Sequence, residues 1–314
     1  MLDLGKIDFK RVGIATIILV VALPFLTFAG DSKKIYVDSS ASGDQTGSSS
    51  HPYKTISKAL KKAKSGTKIY VDNGTYKENL VVPSGVEIYG EGKDKTVIKA
   101  KSGNDSVIVL QGKAKLYGMT IKNGRTGVKV ADSGKVKIIE CEIQDNDWDG
   151  VYINKGKKID DDNRVSITDS EIENNGRTGV YAEKRKLILM NTRITGNDSD
   201  GAFLAAGTSA WIEKVRFNNN GGSGLKAELD YSQVYTKSNS FIDNKREGIE
   251  VASYGAAGRI DIYKSRMENN GNYAISRVQR KPAAASVWNG LTVREAIFAK
   301  VHKGQVSGIF YLYQ

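Results

Sequence analysis

A repeat of 22 to 29 residues constrains this chain more than any other feature of its sequence. In each copy, a large apolar residue is followed three positions later by Asn and seven positions later by Gly or, once, Ala. The asparagines in this register are Asn146, Asn175, Asn197, Asn220, Asn244 and Asn270. Asn123 lies 23 residues before Asn146, with one residue fewer after its apolar neighbour, and the hexapeptide NGRTGV occurs at both Asn123–Val128 and Asn175–Val180. We expect all seven asparagines to form one column of a repetitive fold.

Apolar and polar residues alternate on both sides of each Asn-Gly corner, as in Val151/Ile153 and Val180/Ala182. Alternation is typical of strands with one buried face. The period is too short for helix-pair repeats, and the leucine framework of leucine-rich repeats is absent. The sequence therefore predicts an all-β fold, a right-handed parallel β-helix with coils of ~22–24 residues stacked roughly 4.8 Å apart.

This fold gives the recurrent residues physical roles. The Asn column is expected to be a ladder of hydrogen bonds between coils, which satisfies buried turn amides. The Gly is expected to restart a strand at positive φ. Cys141 is the only cysteine, so no intrachain disulfide forms, and its place in a column of mostly small residues favours simple packing in the core.

The N-terminal part of the chain divides into two predicted segments. Residues 1–29 combine a mildly basic start with 17 uncharged residues and a small-x-small site at Ala29, which indicates a signal peptide or a retained membrane anchor. Either reading implies export, to the medium or to the outer face of the membrane. Residues 30–105 are predicted to hold an N-terminal cap and the first coils, with a capping helix within Pro52–Gly66.

The remainder is predicted to comprise the repeats, residues 106–277, and a C-terminal cap or interaction segment, residues 278–314. Lys155–Asn163 reads as an insertion in one coil. Thr292 and Glu295 have capping-box spacing, so we expect a short helix from there to about Gly304. The last residues are expected to close the final coil or to pack across it.

The charge balance favours an anionic partner. The formal net charge is +12, and removing residues 1–29 leaves +11. Acidic glycans, anionic lipids and nucleic acid all suit a basic surface, and solubility alone also explains it.

Two stretches resemble known exported proteins. Ile35–Ala100, with IYVDSSASGDQTGSSSHPYKTISKAL, GTKIYVDNGTYKENL and VEIYGEG, resembles the N-terminal module of many secreted bacterial and archaeal β-helix proteins. Residues from about 106 to 276 resemble the repeats of the pectin-lyase-like superfamily. The resemblance implies the fold, but the superfamily includes lyases, hydrolases, epimerases, tailspikes, adhesins and a copper-delivery protein, so it does not select a function.

Familiar catalytic signatures are missing from the sequence. The two histidines, His51 and His302, lack the Gly-His-Gly context of polygalacturonase-like hydrolases, and no Asp-Pro-His-Asp is present. Arg280-Lys281-Pro282 lacks the second arginine of one pectate-lyase motif. Clusters of His, Cys or Met for copper or zinc are absent as well.

One corner of the coils carries candidate functional residues. The residues after each ladder Asn form columns, in which Arg177 is flanked by Asp147, Asp149, Asp198 and Asp200. Resemblance to lyases of this fold, which hold Ca²⁺ on carboxylates, makes Arg177 a candidate base and the four aspartates candidate calcium ligands. Trp148, with Asp149 and Asp200, is the candidate substrate-binding set, Trp148 stacking on a sugar ring. Ordinary solvated turns are also rich in Asp.

The leading hypothesis is an exported, non-catalytic protein that binds a cell-surface or extracellular polysaccharide, with no certain cofactor. A polysaccharide lyase or glycoside hydrolase that acts on uronate glycans with calcium is the first alternative. A structural or adhesin-like surface protein is the second. We expect a polysaccharide or cell-envelope glycan rather than nucleic acid as the partner, and membrane contact only through the N-terminal segment.

Overall fold

The chain winds into stacked coils, each of which gives one short strand to each of three sheets. The computed structural model describes residues 33–131 and 134–311. The predicted signal peptide or anchor lies outside these residues, and none of the described helices is long and apolar enough to cross a membrane.

The strands, in chain order, are β1 (Lys34–Val37), β2 (Lys68–Val71), β3 (Gly74–Lys77), β4 (Leu80–Val82), β5 (Val86–Gly90), β6 (Thr96–Lys99), β7 (Ile108–Leu110), β8 (Ala114–Tyr117), β9 (Thr120–Lys122), β10 (Val128–Val130), β11 (Val136–Ile139), β12 (Glu142–Gln144), β13 (Val151–Ile153), β14 (Arg164–Thr168), β15 (Glu171–Glu173), β16 (Val180–Glu183), β17 (Lys186–Met190), β18 (Arg193–Thr195), β19 (Ala202–Ala205), β20 (Ser209–Glu213), β21 (Arg216–Asn218), β22 (Leu225–Glu228), β23 (Gln233–Lys237), β24 (Ser240–Ile242), β25 (Ile249–Ser253), β26 (Arg259–Tyr263), β27 (Arg266–Glu268), β28 (Tyr273–Gln279), β29 (Leu291–Arg294), β30 (Ile297–Ala299) and β31 (Gly304–Tyr311). The one α-helix is α1 (Ile56–Lys62), and short 3₁₀ turns occupy Asp161–Asn163 and Ala285–Gly290.

All strand pairs are parallel and join neighbouring coils. The first sheet has 11 strands and runs from β1 to β29. The second has 10 strands and runs from β4 to β31, and the third has 10 strands and runs from β3 to β30. Pairing continues through the predicted boundaries at residues 105/106 and 277/278, because β4 pairs with β7 and β28 pairs with both β25 and β31. The predicted all-β parallel β-helix is confirmed.

The core is built from columns of inward-facing apolar side chains. In the third sheet one such column is fully buried and consists of Ile121, Ile143, Ile172, Ile194, Phe217, Phe241 and Met267. The Phe217 and Phe241 rings stack with centroids 4.9 Å apart. Each residue is in register with its counterpart one coil away, so burial of the column holds the pairing register.

Six of the seven predicted asparagines form a continuous hydrogen-bonded ladder. Asn175 represents the pattern: its Oδ1 accepts from the main-chain N and from the Nδ2 of Asn146, at 3.3 and 2.9 Å. Its Nδ2 donates to Asn197 Oδ1 at 2.9 Å and to the carbonyl of Ile143 at 3.2 Å. The same bonds recur up the column to Asn270.

Asn123 is not a rung of this ladder, which corrects the prediction. Gly124 occupies the rung, since its N–H donates to Asn146 Oδ1 at 3.0 Å. Asn123 is exposed with φ 60° and corresponds to Asp145 (φ 52°) and Asn174 (φ 54°) in the next coils. The corner of this coil is one residue shorter, because Gly124 lies at the rung and Arg125, the next residue, lies opposite Trp148. The Asn of the first NGRTGV therefore falls one position earlier in the coil.

The glycines of the repeat have a different role from the one expected. Gly179 has no positive φ. A Cβ there would lie 2.5 Å from the carbonyl oxygen of Gly201 and 2.6 Å from Ile194 Cγ2. Close stacking of successive corners therefore requires Gly, while positive φ falls on the residue before each rung, which is Asn or Asp except for Gly196.

Helix α1 covers the N-terminal end of the core, as predicted, although it is shorter than the segment proposed. Thr55 caps it by accepting from the N–H of Lys58, and Glu78 accepts from the N–H groups of Ile56 and Ser57. Ile56 and Ala59 are fully buried, and the helix contacts β1 and β4, which are terminal strands of their sheets.

The predicted C-terminal helix is wrong. Thr292 lies within β29, which pairs in parallel with β26, and Glu295 follows it with φ 50°. The exposed edge of the preceding coil offers a full set of backbone partners, which outweighs a local capping signal. β31 then pairs with β28, so this segment forms a further coil.

The predicted insertion leaves the strands on both sides in register. Ten residues separate β13 from β14, whereas two separate β16 from β17, yet β13 pairs with β16 and β14 with β17. Beneath the insertion lies Arg185, which is fully buried. Its guanidinium donates to the carbonyls of Asn163 (3.1 Å), Ala131 (3.0 Å) and Gly134 (3.3 Å), which fastens two loops to the core.

Candidate functional site

A groove of about 600 Å³ runs along the corner that precedes the second sheet and along the outer face of that sheet. Two outward columns line it: Arg125, Trp148 and Arg177 at the corner, and Lys129, Tyr152, Tyr181 and Phe203 on the strands. The strands that hold these side chains are β10, β13, β16 and β19. Their inward neighbours are apolar and buried, so the pleat directs these polar and aromatic residues outward.

Trp148 lies between two guanidinium groups. The Arg125 guanidinium carbon is 3.5 Å from the ring centroid, and that of Arg177 is 5.0 Å away. Backbone hydrogen bonds fix this order, because Trp148 N donates to Arg125 O and Arg177 N donates to Trp148 O. Both arginines belong to a copy of NGRTGV, and they sit two coils apart, roughly 9–10 Å by the strand spacing.

This stack gives Trp148 a contact that the sequence did not predict. The indole orients the two arginines through cation–π contact. The residue is also 40% exposed, and its stacking on a sugar ring stays a prediction. The aromatic face of the groove lies on the neighbouring column. There the Tyr152 and Tyr181 rings stack at 4.9 Å and Phe203 meets Tyr181 edge-on at 5.4 Å. Burial raises the pKa of Tyr181 to about 12, so its hydroxyl stays neutral.

The groove's cations are unpaired. No carboxylate oxygen of a described residue lies within 4 Å of the side-chain nitrogens of Arg125, Lys129 or Arg177. Their positive charge therefore remains available to an external anion.

A second concavity of about 410 Å³, on the outer face of the first sheet, provides a contrast. Trp211 and Tyr235 stack there at 4.4 Å. Its cations are already paired: Lys186 with Asp161 and Arg259 with Asp261. Arg164 also pairs with Asp161. This surface has aromatic rings but little uncompensated charge.

The predicted calcium ligands do not converge. Asp149 and Asp200 are only 4% and 8% exposed, and each accepts a backbone N–H of the next coil, from Thr178 at 3.2 Å and from Ser223 at 2.7 Å. Burial raises the pKa of both carboxyls. They act as structural acceptors at the corner. Asp149 also lines the groove, and the contact of the two aspartates with substrate stays a prediction.

Asp147 and Asp198 project outward and are exposed, because they occupy the alternate position of the corner. Among the described residues, the acidic side chains whose oxygens lie within 4.8 Å of one another are instead Glu142, Glu171 and Glu173. Lys93 and Arg193 pair with Glu171, and Arg193 also pairs with Glu173, so two cations of the protein offset most of the charge of this group. Calcium binding stays a prediction.

The structure places Arg177 in the groove, which Asp105 and Asp149 also line, and Asp149 is near enough to interact with it electrostatically. The role of Arg177 as a base stays a prediction. Sequence reasoning missed Arg125, Lys129, Tyr152, Tyr181 and Phe203. Two features of the sequence pointed to them. The duplicated hexapeptide contains an arginine in each copy, and the second residue of the strand that follows the corner is basic or aromatic in four successive coils. Arg125 follows Asn123 by two residues, as Trp148 follows Asn146 and Arg177 follows Asn175, so the spacing of the repeat already aligns the three residues.

Comparison with known proteins places the chain in a family by its fold. A family model described as right handed beta helix region matches residues 126–285, about half of the sequence, and the chain belongs to this family. A sequence search against curated proteins finds no match.

Solved structures with a similar fold share little sequence with this chain. ORF18 of Geobacillus virus E2 aligns with a TM-score of 0.61 at 14% identity, over 88% of this chain and 60% of that one. The A-module of the Azotobacter vinelandii mannuronan C-5 epimerase AlgE6 gives 0.55 at 14% identity, over 88% and 99%. A pectin methylesterase from Aspergillus niger gives 0.50 at 14% identity, over 79% and 90%.

Proposed function

We propose that this right-handed β-helix protein binds an acidic polysaccharide through the groove at Arg125, Trp148 and Arg177. The observation that carries the proposal is the pair of unpaired guanidinium groups, held on either side of one indole and bordered by a row of aromatic rings. The names of the epimerase and the pectin methylesterase refer to acidic polysaccharides, which is consistent with this substrate class.

The chemistry of the groove suits carboxylates on a chain of sugar rings. A guanidinium donates two parallel N–H bonds to a carboxylate, which gives geometric selectivity as well as charge. Arg125 and Arg177 repeat along the coil axis, so they suit anionic groups that also repeat along a polymer. The Tyr152 and Tyr181 rings offer apolar surface with hydroxyl groups at the rim, which suits the faces and edges of pyranose rings.

The second concavity is the weaker candidate for an acidic ligand. Entry of a carboxylate there requires that Lys186 or Arg259 give up its own aspartate, and that exchange offsets much of the gain.

Binding to polygalacturonate and alginate, measured by calorimetry against a neutral glucan, tests the proposal. We expect binding to the two uronates that weakens with added salt, and no comparable binding to the glucan. Arg177→Ala should weaken it by about 10- to 100-fold, the loss of one charge-assisted contact worth about 1.5–3 kcal/mol. Arg125→Ala should act similarly.

Two controls define the site. Arg216 is exposed on the third sheet and pairs with no acidic side chain in the part of the chain that the structure describes. Arg216→Ala therefore removes the same charge elsewhere and should leave affinity almost unchanged. Trp211→Ala removes the aromatic platform of the second concavity. The proposal fails if neither uronate binds at low salt, if Arg216→Ala weakens binding as much as Arg177→Ala, or if only Trp211→Ala abolishes it.

A further inference from the structure

The cap at the N-terminal end of the coils is strongly basic. Between Asp44 and Asp72 the sequence contains six lysines and no acidic residue. Five of these lysines are exposed and belong to α1 or its flanks: Lys54, Lys58, Lys61, Lys62 and Lys64.

Packing directs these lysines away from the coils. Ile56 and Ala59 fix the buried face of α1 against the end of the core, and the helix contacts terminal strands of two sheets. The remaining faces therefore look outward from the N-terminal end, roughly along the coil axis. The cap presents its charge as a surface at one end of the molecule.

The protein does not neutralise this surface. No carboxylate oxygen of a described residue lies within 4 Å of the five ammonium groups. Lys58 donates to Gln45 Oε1 at 3.2 Å and lies 5.2 Å from the Tyr53 ring centroid, both uncharged partners. Glu78, the acid closest in sequence after Asp72, is engaged with the N–H groups at the start of the helix.

The chain enters the solenoid at this same end. The first described strand, β1, begins at Lys34, and the 17 uncharged residues of the N-terminal segment end at Phe28. Five residues lie between them, which span at most about 18 Å when extended. If residues 12–28 are retained in a bilayer, this short connection limits how far β1 can lie from the membrane surface.

We propose that the basic cap, Lys54 to Lys64, rests on a membrane surface of anionic lipid headgroups. Phosphate-bearing headgroups supply the negative charge that the cap lacks, and each basic residue near such a surface strengthens binding. The coils then project from the membrane with the groove at Arg125 and Arg177 on their side. This inference does not depend on glycan binding.

Partition onto lipid vesicles tests the proposal without the apolar segment. Residues 32–314 form one compact unit, so a chain that starts at Gly30 keeps the coils and the cap. We expect this chain to bind phosphatidylglycerol vesicles but not phosphatidylcholine vesicles, and to dissociate from the former as salt is added. Replacing Lys61, Lys62 and Lys64 together by Gln should weaken partition about fivefold per lysine, on the order of 100-fold in total.

A matched control removes the same charge elsewhere. Lys157, Lys158 and Lys245 are exposed, lie several coils away and pair with no carboxylate among the described residues, so their joint replacement by Gln should leave partition nearly unchanged. Joint replacement of Lys61, Lys62 and Lys64 by Arg keeps the charge and should retain binding, which separates lost charge from a disturbed helix. Uronate binding should survive in all three variants.

The proposal is overturned if the chain does not bind phosphatidylglycerol at low salt. It is also overturned if the two Gln variants lose affinity equally, which would indicate diffuse attraction to the whole basic protein. Loss of binding in the Arg variant equally contradicts it.

Discussion

The duplicated hexapeptide allows one residue type to be tested in two structural roles. Asn175 and Asn123 are each the first residue of NGRTGV, but Asn175 is fully buried in the ladder and Asn123 is exposed. Asn175→Ala removes four side-chain hydrogen bonds, two to Asn146 and one each to Asn197 and Ile143. The Asn146 main-chain N–H loses its acceptor, and the Ile143 carbonyl loses the amide donor.

At about 1–3 kcal/mol for each buried polar group left unpaired, two such groups lower the free energy of unfolding by about 2–6 kcal/mol. The matched substitution is Asn123→Gly, which keeps the positive φ accessible and should change stability by no more than about 0.5 kcal/mol. Urea unfolding, followed by both circular dichroism and fluorescence, measures both values. Agreement of the two probes is needed because repeat proteins can unfold in parts. A loss below about 1 kcal/mol for Asn175→Ala, or an equal loss for Asn123→Gly, would refute the ladder argument.

Three further outcomes follow from buried groups. Arg185→Leu should destabilise the protein by about 3–5 kcal/mol in urea unfolding, since three carbonyls lose a charged donor; a loss below about 1 kcal/mol would contradict that role. The pKa of Asp200 is raised above its ordinary 3.8 by burial, so the folded state binds its proton more tightly and stability falls as pH rises through that range. Asp200→Asn should therefore gain stability relative to the natural protein between pH 3 and 7, and a pH-independent difference would argue against it. Burial raises the pKa of the Cys141 thiol to about 12, so a thiol reagent at pH 8 should modify it only after unfolding, and rapid modification of the native protein would contradict this.

The repeat predicted the fold because its physical cause is periodic. Inward apolar residues and ladder asparagines recur wherever successive coils make the same contacts, so each copy reports the same structure. Asn123 shows the limit, since one residue fewer in a single corner moves the Asn of an identical hexapeptide out of the ladder. The helix prediction at Thr292 failed for another reason: the local capping residues do not reveal that the open edge of the preceding coil is available for strand pairing.

The site was harder to predict than the fold because it depends on side-chain orientation within the corner. Asp149 and Trp148 are adjacent in sequence, yet one faces inward to an amide and the other faces solvent between two arginines. The four candidate calcium ligands have carboxylate side chains, as such a site requires, but Asp149 and Asp200 are buried while Asp147 and Asp198 are exposed. Column alignment located Arg177 and also places Arg125 beside Trp148, but only the structure shows the cation–π contacts among the three side chains.

The insertion between β13 and β14 makes this coil a place where foreign sequence can be grafted. The connection from β13 to β14 is eight residues longer than the corresponding connection from β16 to β17, yet the flanking strands keep their partners. A peptide epitope or a small binding loop placed between Lys157 and Ile159 would be displayed on a rigid support, anchored below by Arg185. The stacked coils would hold the grafted loop at a fixed number of strand spacings from the groove.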